Sequence, residues 1–261
     1  MIRKPAVTGT FYPSNPKELE QMVKRFIFEA ETRKIKNLKA IISPHAGYIY
    51  SGPVAGSAYK QLLSLPSQKY NVFLLGPAHY VFTTAAVGMF DEYETPLGKV
   101  KVNLEICSQL LEQSSEVEDN IQAHLPEHSL EVQLPFLQQS LNNFEIIPIL
   151  LGDTSISAMT ELLNPYFLAN DSLFVISSDL SHYKNYYEAE QTDQNTLNRI
   201  ISLDTKNMDE IDACGSVGIK ILMNLAKNNS YTIDLLDYRN SGDTAGDKKS
   251  VVGYSACAIH K

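Results

Sequence analysis

The chain has 261 residues, 44% of them hydrophobic, and a formal net charge of −8. That length suits one α/β domain over residues 1–261, and no apolar run reaches the roughly 18 residues a bilayer span needs. The acidic balance disfavours nucleic acid as a partner, and three scattered cysteines with no CxxC pair argue against a disulfide framework or structural zinc site.

Taken in chain order, the elements alternate. The opening Met1-Ile2-Arg3-Lys4-Pro5 has no apolar stretch behind its charges, so no secretory signal is expected and a reducing cytoplasm fits best. Asn15-Pro16-Lys17-Glu18 reads as a helix start, with Leu19, Met22, Val23, Phe26, Ile27 and Ala30 behind it on one apolar face. Residues 38–43 read as a strand, 54–63 as a helix, 72–75 as a short strand stopped by Gly76-Pro77, and 85–90 as another strand. A helix over 103–113 follows. A longer helix is expected after Pro126, carrying Leu130, Leu134, Leu137 and Leu141 and kinked at Pro135. Next come a strand at 146–151 that contains Pro148, a helix at 155–168, a strand at 172–177, helices at 187–202 and 217–227, and closing strands at 232–238 and 250–259. Continuous apolar strands alternating with helices predict a mixed, mostly parallel central sheet with helices on both faces. The last two strands, joined by a short loop, are expected to pair antiparallel.

Residues of catalytic type follow several of these strands: Ser43-Pro44-His45, Gly76-Pro77-Ala78-His79, Gly152-Asp153 and Ser177-Ser178-Asp179-Leu180-Ser181-His182. Ligands in open α/β sheets bind beyond the carboxyl ends of strands, so His45, His79, Asp179 and His182 are expected to face one crevice. The plainer reading is that they cap helices and tie loops. Two imidazoles plus a carboxylate with open positions suit iron(II), and related sets suit zinc; copper is a further alternative. An unligated histidine can move protons near neutral pH. Asp179 is read as an orienting partner or a ligand.

Glu127 and Glu131 read as first-turn residues of the helix after Pro126, with His128 left as a candidate for the pocket. His124, just before Leu125-Pro126, is read as a surface residue and His260 as inert. Asp243, in the turn-rich 240–247 loop, is either part of a plain connector or a carboxylate for the crevice. Cys214 precedes a helix and is either an acidified thiol or a buried inert one, the latter favoured. No Walker loop, GxGxxG or GxSxG motif is present, which argues against those nucleotide sites and a standard α/β-hydrolase.

Several segments, in order along nearly the whole chain, resemble the Memo family: residues 5–13 (PAVTGTFYP), Pro44-His45-Ala46-Gly47-Tyr48 with Ser51-Gly52, Leu75-Gly76-Pro77-Ala78-His79, Thr95-Pro96-Leu97-Gly98, Glu127-His128-Ser129-Leu130-Glu131, Ser177-Ser178-Asp179-Leu180-Ser181-His182 and Ser250-Val251-Val252-Gly253-Tyr254. The resemblance implies a fold similar to the catalytic subunit of class III extradiol dioxygenases, which are non-haem iron enzymes. It implies that His45 and His79 occupy the two histidine-ligand positions, with His182 at the acid–base histidine and Asp179 beside it. Gapless alignment back from Tyr254 puts Thr244 where animal members have a third, cysteine ligand. Either Asp243 then completes the set or metal binding is weakened. The resemblance further implies a small-molecule or peptide ligand and a link to AMMECR1-like and radical-SAM proteins. Three readings stand open: a metal-dependent oxidoreductase, a binding module with a vestigial pocket, and a metal hydrolase.

Overall fold

The computed structural model describes residues 1–261. Its strands are β1 (Ile2–Arg3), β2 (Ala40–Ser43), β3 (Tyr70–Pro77), β4 (Ala85–Val87), β5 (Glu92–Thr95), β6 (Gly98–Lys101), β7 (Val117–Asp119), β8 (Phe144–Leu151), β9 (Ser172–Ser177), β10 (His182–Lys184), β11 (Thr232–Asn240) and β12 (Val251–His260). Its helices are α1 (Pro16–Glu29), α2 (Tyr48–Tyr59), α3 (Leu104–Gln113), α4 (Ile121–His124), α5 (Leu134–Ser140), α6 (Ile156–Leu168), α7 (Tyr186–Ile201), α8 (Ser216–Asn228) and α9 (Ser241–Thr244).

Nine strands form the main sheet, in the order β10-β12-β2-β9-β3-β8-β4-β7, with β11 also paired to β12. The run β2-β9-β3-β8 is parallel, and so is β4-β7. The pairings of β12 with β2, β10 and β11, and of β4 with β8, are antiparallel. The sheet is therefore mixed rather than mostly parallel: its four central strands, apolar on both faces, are parallel, whereas the pairings of β12 and the β4-β8 pairing are antiparallel. The closing pair β11-β12 is antiparallel, as its short connection requires. No helix is long and apolar enough to cross a membrane.

α1, α2 and α5 pack together on one side, with α2 against β2, β11 and β12; α6 and α8 pack on each other and against β9. The apolar stripe of α1 explains its position: Leu19, Val23, Phe26 and Ile27 are all buried, and Asn15 caps the helix through the amides of Lys17 and Glu18. α2 begins six residues before the stretch whose periodicity predicts it and runs through Pro53, so the helix starts almost directly behind His45. Pro148 sits within β8, one residue before pairing with β4 begins at Ile149.

The long helix expected after Pro126 does not form. Residues 126–130 are irregular, Glu131–Gln133 makes one 3-10 turn, and α5 begins only at Leu134, with Pro135 in its first turn rather than at a kink. Tertiary bonds outweigh the helical periodicity. The buried Arg3 guanidinium binds the carbonyls of His124 and Glu127 and the Glu131 carboxylate. Glu131 also accepts from the amides of Ala6 (2.7 Å) and Val7 (3.1 Å) and from the Tyr12 hydroxyl (2.6 Å). The amino-terminal segment is thus bolted to the 124–133 segment by a buried charge with all its partners supplied. Replacing Arg3 by Met leaves Glu131 buried without its counter-ion, and is expected to cost about 3–5 kcal/mol. Denaturant unfolding of Arg3→Met checks this: the midpoint should fall with an unchanged slope.

Candidate metal centre

The carboxyl ends of the central parallel strands open onto a cavity of about 740 Å³. His45, His79, Asp179 and His182 all line it, and His128 joins them. His45 follows β2, His79 follows β3, and Asp179 follows β9, so three neighbouring strands deliver three groups to one rim. His128 arrives from the irregular segment before α5. Gly76 permits that arrival, because a Cβ there would lie 2.8 Å from both Ser129 Oγ and Leu130 Cδ2.

Ring nitrogens of His45, His79 and His128 all lie within 4.8 Å of one another. The His79 and His128 rings stack with centroids 4.9 Å apart, while His45 stands edge-on to both, 5.3 Å from His79 and 5.6 Å from His128. His45 is 2% exposed. Burial, then the neighbouring His128 and His79, holds its pKa well below the usual imidazole value, so it is neutral at physiological pH. Burial lowers His128 as well. Neutral imidazoles are what a metal ligand requires.

Glu127 holds His79. Its carboxylate accepts from the His79 amide (2.6 Å) and faces His79 Nδ1 (2.9 Å), and it also takes the amides of His128 and Ser129 at 2.9 Å each. An ionised carboxylate only accepts, so Nδ1 of His79 carries the proton and its Nε2 keeps a lone pair. Nδ1 of His128 faces the same carboxylate oxygen at 3.3 Å and the Tyr80 hydroxyl at 3.4 Å. Burial works to raise the pKa of Glu127, but the bonds from the His79 ring and amide and from Ser129 outweigh it and bring it down to about 2. This donor set fits a divalent cation: three imidazoles, one held by a carboxylate partner of the kind that accompanies ligating histidines.

Asp179 is 4% exposed and accepts from the His45 amide at 2.8 Å. It therefore orients the His45 loop rather than His182. Burial pushes its carboxyl up to about 7, against the amides of His45 and Ala46, which pull down. His182 lies in β10 opposite Val252. Burial lowers its pKa, against the Leu180 backbone bond.

The structure separates other residues from the site. Asp243, expected as third ligand, neither enters the imidazole trio nor lines the cavity. Its carboxylate closes the capping box of α9 on the Asn240 amide (2.9 Å) and accepts from the Tyr186 hydroxyl (2.7 Å). Thr244 is outside the cavity too, its hydroxyl directed at the Ser241 carbonyl. The cysteine that does reach the centre is Cys214, whose Sγ lies 3.2 Å from His45 Nε2. Gly215 allows this approach, since a Cβ there would lie 2.6 Å from the Ser177 carbonyl. The thiol is not acidified: burial and then Asp179 push it up to about 12.

His124 is buried rather than superficial, with Nε2 on the Ala86 carbonyl (3.0 Å) and Nδ1 on the Tyr93 hydroxyl (2.8 Å). Asp153 does not line the cavity. Sequence reasoning leaves the placement of His128 open and assigns Glu127 to a helix start. Their adjacency in Glu127-His128-Ser129 is the signal that links them.

The Glu127 bonds have a pH signature. A carboxyl whose folded pKa is depressed from 4.5 to about 2 contributes stability that is fully present above about pH 4.5 and lost as pH falls toward 2. The share is roughly 3 kcal/mol. Denaturant stability of Glu127→Gln, compared with the parent at pH 6 and pH 2.5, should show this part of the acid loss missing from the variant.

Comparison with known proteins agrees with the fold and with the family the sequence resembles. A crystal structure of an uncharacterized Escherichia coli K12 protein superposes with a TM-score of 0.54 at 14% identity, covering 84% of this chain and 99% of that one, a likeness of fold alone. A MEMO1 family protein of Thermoplasma volcanium is 36% identical, covering 98% of this chain and 97% of its own length. Relatives described in the same words from Nitrosopumilus maritimus and Thermotoga neapolitana are each 35% identical, with 98% or more of both chains covered. The family model of Memo-like proteins matches residues 3–258, and this chain belongs to the Memo family.

Proposed function

We propose that this protein is a metal-dependent oxidoreductase of the non-haem iron type, with a divalent ion held by His45, His79 and His128. The observation that carries this reading is the convergence of three ring nitrogens within 4.8 Å. His128 takes the place in the ligand set that the sequence suggests for Asp243, and Cys214 is a fourth donor within reach of His45. Imidazole suits iron, zinc and copper alike, and iron(II) is favoured by the likeness to class III extradiol dioxygenases that the sequence resemblance implies. Iron(II) held by these imidazoles would supply electrons for reaction with dioxygen.

The chain's own groups do the rest. Glu127 fixes the His79 ring, and Asp179 fixes the His45 backbone. A carboxyl at about 7 can hold or release a proton near neutrality, and His182 is the second group on the cavity wall able to move one. Phe11, Tyr50, Tyr80, Tyr183 and Tyr254 give the cavity aromatic walls of the kind that receive an organic substrate. Those same walls favour one alternative, a module that binds a small molecule or peptide without turnover. Chelation separates the two, because a metal-independent binder keeps its ligand affinity.

Elemental analysis after anaerobic loading should find about one iron per chain. His45→Ala, His79→Ala and His128→Ala should each weaken binding by more than the roughly 10–100-fold that loss of an outer partner costs. Asp243→Asn should bind as tightly as the parent; loss of metal there would restore Asp243 to the ligand set and overturn the assignment. With iron retained, His182→Ala should slow dioxygen consumption by about 10²–10⁴-fold; unaltered consumption would remove His182 from proton transfer.

A further inference from the structure

Ser177 is the last residue of β9 and is fully buried, outside the cavity lining. Its hydroxyl has three partners: the Ser129 carbonyl at 2.6 Å, Gln133 Nε2 at 2.8 Å and His45 Nδ1 at 2.9 Å. A serine hydroxyl has one proton to give. The Ser129 carbonyl can only accept, so that proton is committed there.

The Gln133 amide is fixed in turn. Its nitrogen lies 2.9 Å from the Pro44 carbonyl, another pure acceptor, while its oxygen receives the Tyr59 hydroxyl at 2.9 Å. The second N–H of the amide therefore points at Ser177 Oγ. With its proton spent and one donor already received, Oγ can only accept from His45.

We propose that Ser177, itself oriented by Gln133 and Ser129, is a positioning residue that locks His45 in the Nδ1–H tautomer and so directs the Nε2 lone pair away from the sheet toward the metal centre. The Cys214 sulfur 3.2 Å from Nε2 is in place to meet that lone pair with its S–H. The centre then uses two devices for one purpose: a carboxylate for half-exposed His79 and a neutral hydroxyl for buried His45. A hydroxyl sets the proton's place without adding a second charge to a buried ring. Its value for metal binding rests on the function proposed above, whereas the tautomer itself does not.

Long-range proton–nitrogen correlation NMR on metal-free protein with ¹⁵N-labelled histidine tests this, with His45 assigned by its absence in His45→Gln. At a pH where the ring is neutral, the parent should show His45 as the pure Nδ1–H form. Ser177→Ala should show a mixture of tautomers and bind zinc about 10–100-fold more weakly. Ser177→Thr, which keeps the hydroxyl, should return both toward the parent. A parent spectrum with the proton on Nε2, or a Ser177→Ala spectrum still purely Nδ1–H, would overturn the lock. A changed tautomer with unchanged zinc affinity would overturn the role of Ser177 in metal binding and leave the tautomer assignment standing. The parent spectrum alone decides the first point even if a variant fails to fold. A parent that shows the tautomer but binds no metal would overturn the proposed function and leave the tautomer assignment standing.

Discussion

A neutral imidazole buried in a protein has one nitrogen that donates and one that accepts, and each needs a partner. At His45 both needs are met by the chain end of β9 and its surroundings: Ser177 faces Nδ1, Asp179 takes the backbone amide, and the Cys214 sulfur stands at Nε2. These contacts bind the end of β2 to the end of β9, its parallel neighbour. The His45 ring is consequently held from two sides, and the remaining imidazoles are arranged around a fixed point.

That fixed point explains the irregular segment between α4 and α5. A regular helix there would satisfy its own amides and would have no reason to present Glu127 to His79. Instead, Glu127 gathers the amides of His79, His128 and Ser129, while Arg3 and Glu131 hold the segment from behind. Local helical periodicity is worth tenths of a kcal/mol per residue, and a buried ion pair deprived of one partner costs several. The ion pair therefore decides the backbone path. His128 reaches the cavity for that reason, and Gly76 leaves it the room.

Much of this architecture was legible in the amino-acid order. The apolar runs that became β2, β3, β8 and β9, and the helix signals at Asn15 and in 155–168, are strong because burial on both faces or on one stripe leaves a clear period. Polar residues just beyond strand ends pointed to the shared cavity. The short pieces β1, β5, β6, β7 and β10 were illegible, since two to four residues hold no period and pair only through tertiary neighbours. The proposed ligand set was half legible. His45 and His79 follow strands, whereas the positions of His128 and Cys214 depend on loop paths fixed by Glu127 and Gly215. Asp243 was left open between connector and crevice because a turn-rich loop gives no sign of whether a carboxylate caps its own backbone or faces outward; here it caps α9.

The central claim is that three imidazoles distant in the chain share one ion. X-ray absorption spectroscopy on protein loaded anaerobically with one equivalent of iron(II) tests it most directly. The account expects an inner shell with about three imidazole ligands, falling to about two in His128→Ala. An inner shell of oxygen ligands without the imidazole scattering pattern, or one unaltered by His128→Ala, would contradict it.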